Sequence, residues 1–230
     1  MFSSESDSVE DAPLTKAERT KARIRDAALA SFSERGFPDT TMRLIAGRAG
    51  VSVGSAYYYF PSKEHLVHEL YVRVQQEHRS LAQPLLAQET SLVERLRVVF
   101  ETGLRAVAPY RAVAPGFLGA MIPPDSPINP LADASAESRA LTVDLLREAV
   151  AGAEHRLPDD IAGLLPTALF PAYLALVLRW TYDSTPDQQQ TSRLLTTGLR
   201  MFAAAAPFLR VPGIRGVARD LLTQIAEVKA

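Results

Sequence analysis

The first third of the chain contains several short helix signals separated by residues that end helices. A first helix is predicted over about 16–35, because Gly36 and the nearby Pro38 are typical of a helix end. Its small and apolar side chains repeat at three- and four-residue spacing, as on one face of a helix. The members of this face are Ile24, Ala27, Ala28, Ser31 and Phe32.

Hydroxyl side chains mark the predicted starts of the next three helices. Thr41 precedes a short helix, after which Gly50 permits a tight turn because glycine enters left-handed conformations without steric cost. Ser52 precedes a third short helix that ends before Pro61, and Ser62 precedes a fourth. Two short helices joined by a tight turn indicate a helix-turn-helix unit, whose second helix enters the major groove of DNA.

Charge is distributed unevenly along the chain. The 230 residues carry a formal net charge of −1, which by itself argues against a strongly basic nucleic-acid binder. Residues 1–15 carry −4, residues 16–63 carry +5 and residues 64–230 carry −2, so the neutral total hides a basic segment. A charged face is more often simply solvated, and charge alone leaves that interpretation open.

The third helix divides into an inner and an outer face by helical spacing. Its outer face carries no charge, but small residues allow close approach and hydroxyl groups donate to phosphates or bases. Three consecutive tyrosines cannot all face one core, although one of them is expected to pack. The face predicted to pack carries Val53, Ala56, Tyr57 and Phe60, and the opposite face carries Gly54, Ser55, Tyr58 and, at its margin, Tyr59.

The rest of the chain continues as helices, and no segment has the sustained alternation of a strand, so the predicted fold class is all-α. The proline-rich stretch 115–130 predicts irregular structure or very short helices. The apolar stretch 161–182 raises the question of a membrane span, but Pro166, Pro171 and Arg179 lie inside it, and burial is favoured. The later helices are predicted at about 63–78, 91–108, 134–155, 160–183 and 187–206, with a final amphipathic piece after Gly213.

Catalytic and redox chemistry finds little support in the sequence. There is no cysteine, which excludes disulfides, a thiolate nucleophile and a cysteine-bound zinc. His65, His68 and Glu69 stand in an order that matches no working zinc-protease motif. We therefore predict a non-enzyme without cofactor or metal, and an all-α enzyme stays a remote alternative. Residues 1–15 lack a signal-peptide pattern and are expected to be an acidic, disordered tail of a cytoplasmic protein.

The segment TTMRLIAGRAGVSVGSAYYYFPSKEHL, from Thr40 to Leu66, resembles the DNA-binding signature of TetR/AcrR-type transcriptional regulators. With the preceding helix the resemblance covers residues 16–66, and many positions match at fixed spacing. It implies a DNA-binding domain over 16–63 and a helical ligand-binding and dimerisation domain over 64–230. The residues that it implies at the DNA interface are Thr41, Arg43, Ser52, Gly54, Ser55, Tyr57, Tyr58, Tyr59 and Lys63.

Individual roles at this interface also follow from the resemblance. Arg43 matches a position that reaches bases or phosphates, and the hydroxyls of Tyr57 and Tyr59 match phosphate contacts. Lys63 matches a lysine that contacts the DNA backbone beside a helix N-terminus. Changes at Tyr59 or Lys63 are therefore expected to weaken binding to all operators, and changes at Ser55 or Arg43 to alter sequence preference.

The resemblance further implies a homodimer that a small ligand releases from a near-palindromic operator. Coupling between a ligand site and a DNA site is a reciprocal free energy, and the fourth helix is the expected lever. The dimer is expected to form through helices near 162–182 and 187–206. Repression is favoured, while an activator or a regulator controlled by a protein partner is the alternative.

The ligand site is predicted in the larger domain. Charged residues are sparse between Val98 and Leu131, which favours an apolar or aromatic effector. Residues 214–230 either extend the dimer interface or cover the pocket, and the sequence does not decide between these roles. The predicted lining residues, each of which is also compatible with an ordinary core position, are Phe100, Leu104, Phe117, Met121, Tyr173 and Trp180.

Overall fold

The computed structural model describes residues 15–227, and within this range the chain is helical without strands. The predicted all-α class is confirmed. The predicted tail lies outside the described residues except for Thr15. The helices are α1 (Lys16–Arg35), α2 (Met42–Ala49), α3 (Val53–Tyr59), α4 (Lys63–Leu86), α5 (Leu92–Val107), α6 (Pro115–Met121), α7 (Ala136–Ala151), α8 (Asp159–Thr181), α9 (Gln189–Ala205) and α10 (Pro212–Ala226).

The first four helices begin at hydroxyl side chains, as predicted for three of them. The Oγ atoms of Thr41, Ser52 and Ser62 each accept a hydrogen bond from the backbone N–H three residues later. Thr15 does the same for α1, and the Glu18 carboxylate accepts from the Thr15 N–H at 2.7 Å. Thr15, the last residue of the predicted tail, therefore caps the first helix. Such caps satisfy N–H groups that the first turn of a helix leaves without partners.

The first three helices share one apolar core with parts of α4 and α6. The five residues predicted as the inner face of α1 are its buried residues. Gly50 closes the turn after α2 with φ 64°, and a Cβ atom there would lie 2.9 Å from Nη2 of Arg23. The Arg23 guanidinium donates to the Ala49 and Gly50 carbonyls at the end of α2. Glycine is thus needed at this turn for its conformation and for the approach of Arg23.

A second core joins α4, α5, α7, α8 and α9. By length and composition α8 could cross a membrane, with a mean hydropathy of 2.0 over its most apolar window. It packs against α7 and α10 and buries side chains along its whole length, from Ile161 to Trp180. A core helix of this composition meets the same hydropathy criterion, and 39% of this window is buried within the described residues, so hydropathy alone does not make α8 a membrane span.

Two elements connect the cores. Helix α4 contributes Leu66 and Val67 to the first core and Ala82 and Leu86 to the second, so this helix runs from one core into the other. Helix α6 lies within the proline-rich stretch, which is otherwise turns, as predicted. It packs against α1 so closely that a Cβ atom on Gly116 would lie 2.5 Å from the Phe32 carbonyl oxygen.

Candidate DNA-binding surface and ligand cavity

The exposed face of α3 differs from the predicted face at three residues, one of which is Val53, predicted to pack but 36% exposed. Ala56 and Phe60 are buried, as predicted, but Tyr57 is 50% exposed and Tyr59 packs against the first core. The assignment of Tyr57 to the inner face is therefore wrong. Tyr58 is 82% exposed, and its ring meets the Tyr59 ring edge-on at 5.1 Å. A helix of seven residues is too short for an even stripe, and the fit against α1 and α2 decides its rotation.

The outer face of the helix-turn-helix unit presents hydroxyl groups with hydrogens to donate. Ser52 and Thr41 are exposed, and their oxygen atoms accept from the backbone at the helix starts. Each hydroxyl keeps its own hydrogen, because a capping oxygen acts as an acceptor. Gly54 is exposed beside them, and a Cβ atom there would meet nothing within 4 Å. This surface suits close contact with a phosphate backbone.

The basic residues of this region fall into two groups. Arg23, Arg25 and Arg48 have internal partners, namely the end of α2, Glu69 and Glu34. Arg43 is exposed on α2 without an ion pair or side-chain hydrogen bond within the described chain. Part of the net positive charge therefore holds the unit together, and the rest is available to an anionic partner. The other lysine and arginine residues of this second group, which also have no ion pair or side-chain hydrogen bond within the described chain, are Lys16, Arg19, Lys21 and Arg35.

Lys63 has structural partners that the sequence did not indicate. Its ammonium group donates to the carbonyl oxygens of Phe37, Pro38 and Thr40, at 2.7, 3.1 and 3.0 Å. It also lies 4.3 Å from the centroid of the Phe37 ring. The three N–H groups of the lysine match these three acceptors. Lys63 thus fastens the loop between α1 and α2 to the start of α4, while its contact with DNA stays a prediction.

A cavity of about 150 Å³ lies between α4, α6, α7 and α8. Its wall is mostly aliphatic and aromatic, which fits the predicted preference for an apolar ligand. Phe117, Met121, Tyr173 and Trp180, four of the six predicted lining residues, line it. Phe100 and Leu104 belong to the packing of the second core and are absent from the described wall.

One wall of the cavity is polar, a feature that was not predicted from the sequence. Gln75 on α4 and Thr142 on α7 both line the cavity, and the Thr142 hydroxyl donates to Gln75 Oε1 at 2.7 Å. Behind them the buried His78 ring stacks on Tyr173, with centroids 5.7 Å apart. Gln75 and His78 lie on the same face of α4 as the apolar Tyr71 and Val74. Polar residues on an otherwise apolar helix face could have indicated this polar wall from the sequence.

Burial controls the ionisation of two rings at this wall. Desolvation lowers the pKa of His78 to about 4, although a hydrogen bond to the Val99 carbonyl at 2.8 Å partly opposes it. Because that carbonyl only accepts, Nε2 of the neutral His78 carries the hydrogen. Burial likewise raises the pKa of Tyr173 to about 12. Both rings are therefore uncharged near neutral pH.

Phe117 connects the cavity with the first core. It lines the cavity, is buried, and packs its ring against Phe32 of α1 at a centroid distance of 5.0 Å. The backbone reinforces this contact, because Phe37 N–H donates to the Gly116 carbonyl at 3.3 Å. A displacement of α6 by an occupant of the cavity would thus act directly on the end of α1.

The C-terminal helix leaves an apolar row uncovered. None of the residues of α10 within the described chain is buried, and Ile214, Val217 and Leu221 are 46, 72 and 55% exposed. These residues follow one another at three- and four-residue spacing and so share a helix face. The predicted interface helices also carry exposed apolar side chains, namely Leu178 and Tyr182 at the end of α8 and Leu194 and Met201 of α9.

No group of three or more metal-ligating side chains comes together within residues 15–227. In the H-x-x-H-E stretch, Glu69 pairs with Arg25, and His65 Nδ1 lies 3.0 Å from the Ser62 hydroxyl. These side chains have local structural partners on α1 and at the start of α4.

Known proteins resemble the chain in sequence and in fold. The HTH-type transcriptional repressor KstR from Mycolicibacterium smegmatis is 54% identical over 50 residues, which are 22% of this chain and 24% of KstR. The chain thus spans about a quarter of the length of such curated relatives. The TetR transcriptional regulator from Nitrosomonas europaea has the same fold, with a TM-score of 0.61 and 21% identity over 80% of this chain and 97% of that one.

The fold also matches the SmeT–triclosan complex, with a TM-score of 0.58 and 18% identity over 80% of this chain and 90% of that one. Two family models match most of the chain. Residues 24–70 match bacterial regulatory proteins of the tetR family, and residues 95–206 match the tetracyclin repressor-like C-terminal domain. The first match contains the helix-turn-helix unit and the second contains most of the cavity wall. The chain belongs to the TetR family of DNA-binding transcriptional regulators.

Proposed function

We propose that the protein is a cytoplasmic, homodimeric repressor that a small apolar or aromatic ligand releases from a near-palindromic operator. The observation that carries this proposal is the position of Phe117, which is shared by the cavity wall and the core of the DNA-binding unit. A ligand that favours one position of α6 would thereby favour one position of α1. Such a shared element is what a reciprocal coupling between two sites requires.

DNA binding is assigned to the outer face of α2 and α3. Tyr57, Tyr58 and Ser52 on or beside α3 and Thr41 and Arg43 on or beside α2 are exposed there. Their hydroxyls and the guanidinium suit phosphate contacts, and Arg43 also has the geometry to read a guanine. Ser55 and Gly54 complete the contact surface. Tyr59 and Lys63 stabilise the unit that carries it, Tyr59 by packing against the first core and Lys63 by its hydrogen bonds to the loop after α1.

Repression and ligand control draw support from named relatives. KstR is described as a repressor, and it is similar to this chain over 50 residues. SmeT, which shares the fold, was determined as a complex with triclosan. In this chain the mostly apolar wall of the cavity favours a ligand of similarly low polarity.

The contact with a second copy of the chain is assigned to the apolar row of α10. A row of three exposed aliphatic side chains is costly to leave in water, and closed dimers bury such rows symmetrically. The row extends the predicted surface beyond α8 and α9 to the C-terminal helix. Replacing Val217 with Asp should produce monomers in light scattering, whereas Ile122→Asp, at a residue 68% exposed directly after α6, should not.

Selection of genomic fragments tests the operator. The proposal predicts recovery of an inverted repeat, with half-sites spaced so that two recognition helices about 34 Å apart meet successive major grooves. Affinity should fall steeply as salt rises, because phosphate contacts release counterions. Recovery of fragments without any inverted repeat contradicts the dimeric mode of binding.

A further inference from the structure

Arg139 carries the one charge in the described wall of the cavity between α4, α6, α7 and α8. It is partly buried and makes no ion pair within residues 15–227. Its Nη1 atom donates to two backbone carbonyls, those of Pro130 and Ala132, at 2.9 Å each. Carbonyl groups accept hydrogen bonds but do not balance the positive charge. A partly buried charge without a counterion is unfavourable, so its place at a cavity wall needs a physical reason.

The hydrogen bonds of Arg139 leave one edge of its guanidinium unused. Both hydrogens of Nη1 are engaged, whereas Nε and Nη2 make no hydrogen bond within the described residues. Neither atom is among the fully buried polar atoms that lack a partner there, so this edge retains accessible surface. The bonds of Nη1 fix the orientation of the group. Its Nε and Nη2 hydrogens are thus presented as a parallel pair, which matches the two oxygens of a carboxylate.

The position of Arg139 on α7 does not call for a cation. The residue lies in the first turn of α7, where the helix dipole disfavours a positive charge. Its two carbonyl partners require a hydrogen-bond donor, which a neutral amide side chain also supplies. The charge of Arg139 is therefore not explained by the contacts that hold this part of the fold together.

The rest of the wall favours an apolar body for the ligand. Most of its side chains are aliphatic or aromatic. Among the polar ones, the Thr142 hydroxyl donates to Gln75 and the Ser138 hydroxyl donates to the Ser135 carbonyl at 3.0 Å. The cavity volume is about 150 Å³, and an engineered cavity of about 150 Å³ in another protein binds benzene. The cavity therefore has room for about one ring, with a guanidinium group at its wall.

We propose that the effector is a monocarboxylate with an apolar body of about one ring, which accepts paired hydrogen bonds from Nε and Nη2 of Arg139. One guanidinium balances one negative charge, so a dianion such as a phosphate monoester would enter with an excess of charge. The inference rests on the proposed function and deepens it, because it names the class of effector for the same cavity and the residue that orients it.

Three probes with the same body test this inference by calorimetric titration of the full chain. Hydrocinnamate carries a carboxylate, hydrocinnamide a neutral group of the same shape, and phenylpropylamine a positive charge. Wild type should bind hydrocinnamate most tightly and the amine least tightly. The ratio of the hydrocinnamate and hydrocinnamide affinities should fall by roughly ten- to hundredfold in Arg139→Gln. Comparing ratios between proteins cancels the different hydration of the free probes.

Arg147→Gln is the matched control on the same helix. Arg147 is exposed, pairs with Asp144 and lies outside the described wall. Its replacement removes the same charge from α7 and should leave the affinity ratio unchanged. Arg139→Lys provides a second variant if Arg139→Gln does not fold, because it keeps the charge but loses the paired donors. It should retain a preference for the carboxylate, with a ratio several-fold below that of wild type.

Other outcomes separate this inference from the proposed function. An equal affinity ratio in wild type and the Arg139 variants, tighter binding of the amide or the amine than of hydrocinnamate, or binding of none of the probes each overturns the inference. Release of operator DNA is followed separately by fluorescence anisotropy. If the ratio changes as expected but hydrocinnamate does not alter DNA affinity, the Arg139 site stands and the proposed ligand control fails. If the amide releases DNA as effectively as the carboxylate, the proposed function stands and this inference fails.

Discussion

The helix-turn-helix unit and the cavity region are both helical, but the cavity region combines local hydrogen bonds of buried side chains, such as that of Thr102 to the Val98 carbonyl, with bonds between distant residues. In the first core, Ser31 and Thr40 donate to carbonyls four residues earlier. In the second, the guanidinium of Arg95 donates to the Ala149 carbonyl, 54 residues away, and His78 pairs with the Val99 carbonyl, 21 residues away. Local pairing can be anticipated from short patterns, whereas distant pairing depends on how helices pack.

The largest expected effect is a loss of stability on breaking hydrogen bonds between residues that are distant in the chain. The buried guanidinium of Arg95 donates to four carbonyls, on Leu86, Glu89, Glu148 and Ala149, and so joins the ends of α4 and α7 to α5. Arg95→Met should lower the free energy of unfolding by about 3 kcal/mol or more, because it leaves these acceptors buried without a donor. Urea denaturation followed by circular dichroism measures the loss.

Arg97→Met is the control on the same helix. Arg97 is partly exposed and pairs with Glu94 at 2.9 Å, one turn away. Its replacement should change the free energy of unfolding by only about 0.5 kcal/mol. Equal losses in the two variants would contradict the contrast between distant and local pairing.

A pH titration gives the second largest effect, again in the cavity region. The pKa of His78 is lowered to about 4 in the folded protein from an ordinary value of 6.5, so the unfolded chain binds the proton more readily. Stability from this group is complete above pH 6.5 and is lost as the pH falls towards 4. Wild type should therefore lose about 2–3 kcal/mol more between pH 7.5 and 4.5 than His78→Gln.

Denaturation curves at the two pH values provide the measurement. Burial also lowers the pKa of His68, so His78→Gln should keep a smaller dependence of the same sign. An identical loss in both proteins would mean that His78 is not held neutral by its surroundings.

The third prediction concerns the contact between the two regions. Gly116→Ala should lower the free energy of unfolding by about 1–3 kcal/mol, because the new methyl group would collide with the Phe32 carbonyl on α1. It should also change DNA affinity in the absence of ligand. Gly119→Ala, on the same short helix with nothing within 4 Å, should do neither. Thermal melting and fluorescence anisotropy with operator DNA compare the pair.

The smallest effect separates two basic residues within the helix-turn-helix unit. Lys63→Met should cost about 1–2 kcal/mol of stability, because three loop carbonyls lose their donor. Arg43→Ala should leave stability within about 0.5 kcal/mol and weaken operator binding by about tenfold. Loss of DNA affinity in both variants without any change in stability would mean that Lys63 acts through contact with DNA and not through the loop carbonyls.

The sequence predicted most of the helix-turn-helix unit because its determinants lie close together in the chain. Thr41, Ser52 and Ser62 cap helices that begin at the next residue, and Gly50 adopts the left-handed turn expected of it. The rotation of α3 was predicted less well, since Tyr57 turned outward and Tyr59 inward. With only seven residues, the orientation of this helix depends on the shape of the surface beneath it.

The cavity was predicted only in part, since its wall is assembled from four helices. Aromatic residues such as Phe117 and Trp180 were visible as candidates, but Phe100 has the same character and lies in the core. The polar wall at Gln75 and Thr142 joins residues 67 apart in the chain. No spacing rule brings such residues together, because their contact depends on the packing of α4 against α7.

By itself, the sequence determined the all-α class, the helix starts and the DNA-binding unit, since these depend on propensity, capping and spacing within a few residues. The tertiary structure decided which lysine and arginine side chains have partners within the protein and which aromatic residues face the cavity. It also decided that Phe117 joins the cavity to the first core. These features arise where distant segments exclude water from one another. Burial, hydrogen bonding and charge at such places depend on the partner helix as much as on the residue.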